Sequence, residues 1–132
     1  GKVMWDKVGM ARNEKGLKEA IEEIRQIRDE FYEDVFVPGS QNEFNQELAK
    51  ATRVADFLEL GELFAKDALE RTESCGGHFR EESQTPEGEA LRDDENFAFS
   101  SNWEWTGDPR NSVMHKEELT FNDIELKQRS YK

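Results

Sequence analysis

The hydrophobic positions in the first half of the chain recur with the spacing of α-helices. A short amphipathic helix is predicted over Lys2–Met10 and a longer one over Gly16–Phe36. The apolar stripe of the longer helix is formed by Leu17, Ala20, Ile21, Ile24, Ile27, Phe31 and Val35. Charged residues fill its opposite face, and Pro38 and Gly39 end it because neither residue continues a helix well.

The pattern predicts a third and longest helix over about Gln41–Ser74. Ser40 and Glu43 have the spacing of a capping box, which places the start of the helix at this point. Two apolar stripes run along it: Phe44, Leu48, Ala51, Ala55 and Leu58 form one, and Phe57, Leu60, Phe64 and Ala68 form the other. A helix that is apolar on two faces is expected to pack from two sides, so we predict that it is central in a small antiparallel three-helix bundle.

The periodicity changes in the second half of the chain. Residues 80–96 are polar and contain Pro86 and Gly88, which indicates a surface connection. Apolar and polar residues then alternate over residues 97–105, as in a β-strand. A turn is predicted over Gly107–Asn111, followed by a partner strand within residues 112–121.

Helices followed by strands predict a mainly α fold of the α+β class. We expect a helical bundle domain over residues 1–80. Residues 81–132 would form a polar connection and a C-terminal β-hairpin arm, with one more short alternation at Ile124 and Leu126. The length of 132 residues fits this arrangement, and the absence of an initial Met favours a fragment or a processed product.

Charge and composition exclude several classes of partner. The formal net charge is −12, so the surface repels nucleic acid and anionic lipid, and we expect no nucleic-acid partner. No apolar run approaches the ~20 residues of a membrane span, so direct membrane insertion is not expected. A single cysteine forms no internal disulfide, which suits a reducing compartment.

The segment around Cys75 and His78 is the main candidate for chemistry. A C-x-x-H pair could face one metal ion, but a structural zinc site takes four ligands and the other histidine, His115, lies on a distant predicted strand. A thiol nucleophile with a histidine base is also conceivable, although the dipole at a helix C-terminus raises a thiol pKa. We therefore expect neither a catalytic residue nor a metal ligand in this segment.

A helix end accounts better for the same segment. Gly76 or Gly77 would supply the left-handed residue that closes the long helix. A cationic His78 or Arg80 would suit the negative helix end, and the pair could also face a partner domain. The aromatic stripe that contains Trp103 and Trp105 is expected to pack on the body of the protein or on a neighbour. The residues that we expect at a domain interface are therefore Gly76, Gly77, His78, Arg80, Trp103 and Trp105.

Four segments in order resemble the C-terminal region of the flavoprotein subunits of succinate dehydrogenase and fumarate reductase. They are VMWDKVGMARNEKGLKEAIEEI, RTESCGGHFREE, RDDENF and the closing QRSY. Glu73, Ser74, Gly76, His78 and Arg80 match the helix-end motif of that family, whereas Cys75 stands where the family commonly has arginine. The resemblance covers nearly the whole chain.

The resemblance implies a parent enzyme that interconverts succinate and fumarate with FAD and passes electrons toward quinone. It implies that FAD is bound upstream, that no cofactor-binding residue lies in this chain, and that the chain alone is inactive. The implied partners are the flavin-binding domain of the same chain and the iron–sulfur subunit. The implied location is cytoplasmic, peripheral at the cytoplasmic membrane.

Two alternatives accompany this interpretation. The first is an independent acidic helical module that binds a protein partner through its aromatic β arm. The second is the C-terminal domain of an L-aspartate oxidase. That family shares the first two motifs, although it usually lacks the strand-rich end.

Overall fold

The computed structural model describes residues 1–40 and 43–127. Three helices and a β-hairpin account for most of its regular structure, as predicted. The elements are α1 (Lys2–Lys7), β1 (Ala11–Arg12), α2 (Glu14–Asp34), α3 (Gln46–Glu70), β2 (Phe79–Arg80), α4 (Asp94–Phe97), β3 (Phe99–Glu104), a 3₁₀ turn (Pro109–Asn111) and β4 (Val113–Glu118).

Asparagine side chains fix the starts of the two long helices. Asn13 caps α2 by accepting a hydrogen bond from the backbone N–H of Gly16 at 2.8 Å. Asn45 caps α3 by accepting from the N–H groups of Glu47 and Leu48. The predicted capping box at Ser40 is therefore wrong, because the described chain becomes helical only after the Asn45 cap.

The end of α3 also differs from its prediction. The helix ends at Glu70 rather than Ser74, and Arg71 leaves it with extended backbone angles. Its last carbonyls accept hydrogen bonds from side chains of the following segment, as described below. The chain can thus leave the helix four residues early without losing donors for those carbonyls.

The core lies between α2 and α3, which run antiparallel, with α1 packed across them. Its buried residues are Val8, Leu17, Ala20, Ile21, Ala65 and Ala68, and Val3 and Met4 of α1 pack against them. Gly61 lets α1 approach α3 closely, since a Cβ there would lie 3.3 Å from the Met4 sulfur. Small residues on both long helices allow the same close contact.

Only part of the second apolar stripe predicted for α3 is covered within the described chain. Phe57 and Phe64 are each 64% exposed, and Leu60 is 52% exposed. These residues belong to the second stripe, whose remaining member, Ala68, is buried in the core against α2. One face of α3 is covered by α2, while this second face is open to solvent over most of its length.

A buried ion-pair cluster joins the two long helices beside the apolar core. Glu62 of α3 is fully buried and accepts from Arg28 at 2.5 Å and from Arg25 at 2.9 Å. Arg28 is itself buried, and its Nη2 has no hydrogen-bond partner within the described residues. The cluster fixes the register of α2 on α3, because a displacement would leave these charges unpaired.

The β-hairpin was predicted correctly in its main features. Strands β3 and β4 pair antiparallel, with Trp103 opposite Met114. Along β3 the more buried side chains of Phe99, Ser101 and Trp103 alternate with exposed ones, as the period-two pattern predicts. No strand contains Ile124 or Leu126, which lie exposed after the last described strand.

Candidate domain-interface site

The two glycines after Cys75 form a tight turn rather than the predicted helix cap. Cys75 and His78 exchange backbone hydrogen bonds of 2.9 and 3.0 Å, with Gly76 and Gly77 between them. Gly76 has a φ of +59°, a left-handed value that favours glycine at the first central position of such a turn. The turn places His78 back against the end of α3.

Arg80 supplies the donors that the end of α3 needs. Its Nη1 donates to the carbonyls of Ala68 at 3.0 Å and Leu69 at 3.1 Å, with a longer contact to Arg71 O at 3.5 Å. Arg80 is only 3% exposed. The prediction that a cation suits this helix end is confirmed, because its guanidinium faces the negative end of the dipole.

His78 bridges the same helix end and the N-terminal segment. Its Nε2 lies 2.7 Å from Arg71 O, and its Nδ1 lies 3.3 Å from Arg12 Nη1. Burial, opposed by the Arg71 carbonyl, lowers the pKa of His78, and the nearby guanidinium charges of Arg12 and Arg80 lower it further. A neutral ring that donates from Nε2 and accepts at Nδ1 satisfies both contacts.

Two residues that support this turn, Ser74 and Glu73, received no individual role from the sequence. Ser74 is fully buried, and its hydroxyl accepts from Arg80 N at 2.8 Å and donates to Ser83 O at the same distance. Glu73 accepts from Asp93 N and pairs with Arg71. Glu73 and Ser74 belong to the quoted helix-end motif, and that motif was the one feature of the sequence that pointed to them. It did not identify their partners, which are distant in sequence.

Arg71 connects the helix end to the hairpin. It donates to the carbonyls of Phe97 at 3.1 Å and Phe99 at 2.9 Å, and its guanidinium lies 4.9 Å from the Phe99 ring centroid. Arg12 joins from the other side, because β1 pairs parallel with β2 and places Arg12 beside Arg80. No local sequence pattern predicted the contacts of Arg71 or of Arg12.

The two predicted tryptophans lie along one groove between α3 and the hairpin. Trp103 donates from Nε1 to Asp67 at 2.8 Å, so its ring is held against α3, whereas Trp105 is 58% exposed. We call this the aromatic groove; it has a volume of about 420 Å³ and is lined by Asp56, Glu59, Leu60, Leu63, Trp103, Glu104, Trp105, Pro109 and Ser112. Trp103 and Trp105 therefore share a site that is separate from the turn of His78.

A larger open surface was missed as a site, although Phe57, Leu60 and Phe64 within it were identified as part of an apolar stripe. We call it the apolar face; it is formed by Val3, Met4, Ile24, Ile27, Val54, Phe57, Leu58, Leu60 and Phe64 around a cavity of about 610 Å³. The pattern predicted burial of these α3 residues, and only the tertiary structure shows that no element of the described chain covers them. Exposed apolar surface of this extent is typical of an interface.

Among the described residues no group of three or more His, Cys, Asp or Glu side chains could hold a metal ion. The lining of the apolar face contains no lysine, arginine or histidine side chain that could pair with a pyrophosphate. No helix in the described part of the chain combines the length and apolar character required to cross a bilayer.

These features define a class: a small helical domain with a hairpin arm and an exposed apolar face. The chain matches the family described as the fumarate reductase flavoprotein C-terminal region over residues 1–131. It belongs to that family, as the four sequence motifs predicted.

Solved structures show the same fold. The chain is similar to the FrdA subunit of E. coli quinol fumarate reductase, with a TM-score of 0.82 and 22% identity over 97% of this chain and 21% of that one. It is also similar to a chain of the Mycobacterium smegmatis Sdh1 complex, with a TM-score of 0.75 and 26% identity over 93% of this chain and 20% of that one.

A curated relative is closer in sequence over a shorter span. An uncharacterized FAD-dependent oxidoreductase of Methanocaldococcus jannaschii is 44% identical over 84 residues, which cover 61% of this chain and 14% of that protein. The chain therefore spans about a seventh of this relative and about a fifth of the structural ones.

Proposed function

We propose that this chain is the C-terminal helical domain of the FAD-containing subunit of a succinate dehydrogenase or fumarate reductase. The observation that carries the proposal is the family match over residues 1–131. In the parent polypeptide the enzyme would interconvert succinate and fumarate and pass electrons toward quinone, as part of electron transport and the tricarboxylic acid cycle. FAD would supply the hydride chemistry and would be bound by residues outside this chain.

The role of the chain itself would be structural. The apolar face is the surface best suited to the flavin-binding domain of the same polypeptide, since Phe57 and Phe64 are each 64% exposed on it. The turn residues Gly76, Gly77 and His78 are exposed or half-buried and would extend this contact. Trp103 and Trp105 line the separate aromatic groove and would serve a second interface. Arg80 would act indirectly, because its guanidinium already caps α3.

The iron–sulfur subunit is proposed as a second partner, and the complex would lie in the cytoplasm at the surface of the cytoplasmic membrane. The solved neighbours support this association, because they are chains of a quinol fumarate reductase and of an Sdh1 complex. The domain would contact the membrane only through the other subunits.

The first test is the native polypeptide. An antibody against this domain is used to blot a lysate of the source cells, in-gel flavin fluorescence is read, and the captured protein is assayed for dye reduction with succinate or with L-aspartate. We expect a band several times larger than 15.4 kDa that fluoresces and oxidises succinate. A flavin-free band at 15.4 kDa would overturn the proposal in favour of an independent binding module, and oxidation of aspartate alone would indicate an aspartate oxidase.

A second test addresses the apolar face. Phe57→Asp combined with Phe64→Asp in the native polypeptide should reduce flavin content and succinate-dependent dye reduction, because charges would enter an interface that excludes water. Phe36→Asp is the matched control, since Phe36 is 85% exposed and lies outside the apolar face. Equal activity in both variants would contradict the assignment of this face to the flavin-binding domain.

A further inference from the structure

The aromatic groove combines an apolar floor with unpaired negative charge. Leu60, Leu63 and Pro109 contribute the apolar lining, and Trp103 and Trp105 add two indole rings. Its volume of about 420 Å³ is enough for one or two long side chains of another protein.

The acidic side chains of the groove differ in whether they already have a partner. Glu104 pairs with His115 at 2.7 Å. Asp56 and Glu59 lie three positions apart on one face of α3. Within residues 1–40 and 43–127, their side chains form no ion pair or hydrogen bond with another residue. Both are exposed at the rim of the groove. The site therefore offers two carboxylates that are free to accept from a cation.

Two cations next to the groove are already engaged. Lys66 donates from Nζ to Pro109 O at 2.9 Å, Arg110 O at 3.2 Å and Ser112 Oγ at 2.7 Å, and burial lowers the pKa of its ammonium group. Arg110 forms a bidentate pair with Asp29, with distances of 2.5 and 2.6 Å. Neither side chain is available to neutralise Asp56 and Glu59 without breaking these contacts.

We propose that the aromatic groove binds an arginine-bearing segment of a partner polypeptide, with the guanidinium stacked on Trp105 and paired with Asp56 and Glu59. A guanidinium is planar, so it stacks on an indole and donates to a carboxylate at the same time, whereas an ammonium group does not stack. The net charge of −12 attracts a basic segment and repels an acidic one. This proposal does not rest on the enzymatic activity proposed above.

The test uses a dye-labelled peptide of sequence Ala-Arg-Leu-Arg-Ala and the same peptide with citrulline in place of arginine, which keeps the shape and removes the charge. Fluorescence anisotropy is measured with the protein at low and high salt. We expect the arginine peptide to bind at least about tenfold more tightly, a difference of about 1.4 kcal/mol by conversion, and to weaken as salt rises.

Variants locate the binding site. Trp105→Ala and Asp56→Asn combined with Glu59→Gln should each weaken binding of the arginine peptide by about tenfold or more. Glu47→Gln is the matched control on the same helix, because Glu47 is exposed and does not line the groove, and it should leave binding unchanged.

Equal binding of the arginine and citrulline peptides would overturn the proposal, as would loss of binding in the Glu47→Gln control to the same extent. Circular dichroism of each variant distinguishes a lost contact from a lost fold. Self-association that Trp105→Ala abolishes and that the arginine peptide does not displace, measured by sedimentation, would assign the groove to a second copy and would also overturn the proposal.

Discussion

The two faces of α3 differ in a way that hydrophobicity alone does not explain. The face toward α2 carries Gly61, Ala65 and Ala68, and the two alanines are buried, whereas the larger Phe57 and Phe64 are mostly exposed on the other face. Small residues let two helices approach closely, so the buried contact selects them. The large apolar residues serve a surface that this chain does not cover by itself, and we expect the two faces to respond differently to substitution.

The largest expected effect is at the buried charge of the inner face. Glu62→Gln leaves Arg28 buried with a weaker acceptor, and we expect the free energy of unfolding to fall by about 3–5 kcal/mol. Urea denaturation followed by circular dichroism measures this loss. Glu59→Gln on the same helix is the control and should change the value by less than about 0.5 kcal/mol, because Glu59 is exposed. Similar losses in both variants would contradict the distinction between the faces.

Substitution of Arg80 at the end of α3 should have the next largest effect on the free energy of unfolding. Arg80→Gln removes the charged donor to the Ala68 and Leu69 carbonyls, so we expect a loss of about 2–3 kcal/mol in the free energy of unfolding. Arg80→Lys should recover part of it, since the charge remains near the helix dipole. Arg53→Gln, at an exposed position of α3, is the control. An unchanged urea midpoint in Arg80→Gln would show that the cap contributes nothing.

A smaller and pH-dependent effect is expected from His78. Its pKa in the fold lies below the ordinary value of 6.5, so the unfolded chain binds the proton more readily. Stability should therefore fall as the pH drops through 6.5 toward the lowered pKa, and no such change should occur above 6.5. His78→Gln removes this component. Urea midpoints of the two proteins between pH 5 and 8 should approach one another on the acidic side; parallel curves would refute the assignment.

The smallest effect on stability is expected on the apolar face. Phe57→Ser should change the free energy of unfolding of this chain by less than about 0.5 kcal/mol, because the side chain is already 64% exposed. Leu17→Ala provides the comparison, since Leu17 is fully buried and its truncation should cost about 2–5 kcal/mol. Thermal or urea unfolding of both variants is sufficient. Comparable losses would show that Phe57 is covered in solution.

Local patterns predicted the elements of this fold better than their ends. The period of the α2 stripe and the alternation through Trp103 identified a helix and a strand, because side-chain spacing follows directly from backbone geometry. The starts and ends depend on which of several candidate caps is used. Asn45 rather than Ser40 caps α3, and the glycine pair forms a turn that begins at Cys75, five residues after the last residue of the helix.

The candidate site was only partly predictable for the same reason. A positive side chain at the helix end follows from the dipole, and Arg80 was named on that ground. Its neighbours Arg12 and Arg71 were not, because they come from a parallel strand pair and from the hairpin contact. Contacts between residues far apart in the chain leave no periodic signal in one sequence.

The sequence by itself determined the helices, the hairpin, the acidic surface and the family, since each follows from local spacing, charge or ordered motifs. Only the tertiary structure decided which apolar stripe is buried, which cation caps α3, and that Asp56, Glu59 and Trp105 line one groove. Burial and proximity depend on how distant segments pack, and packing is a property of the folded chain rather than of any single segment.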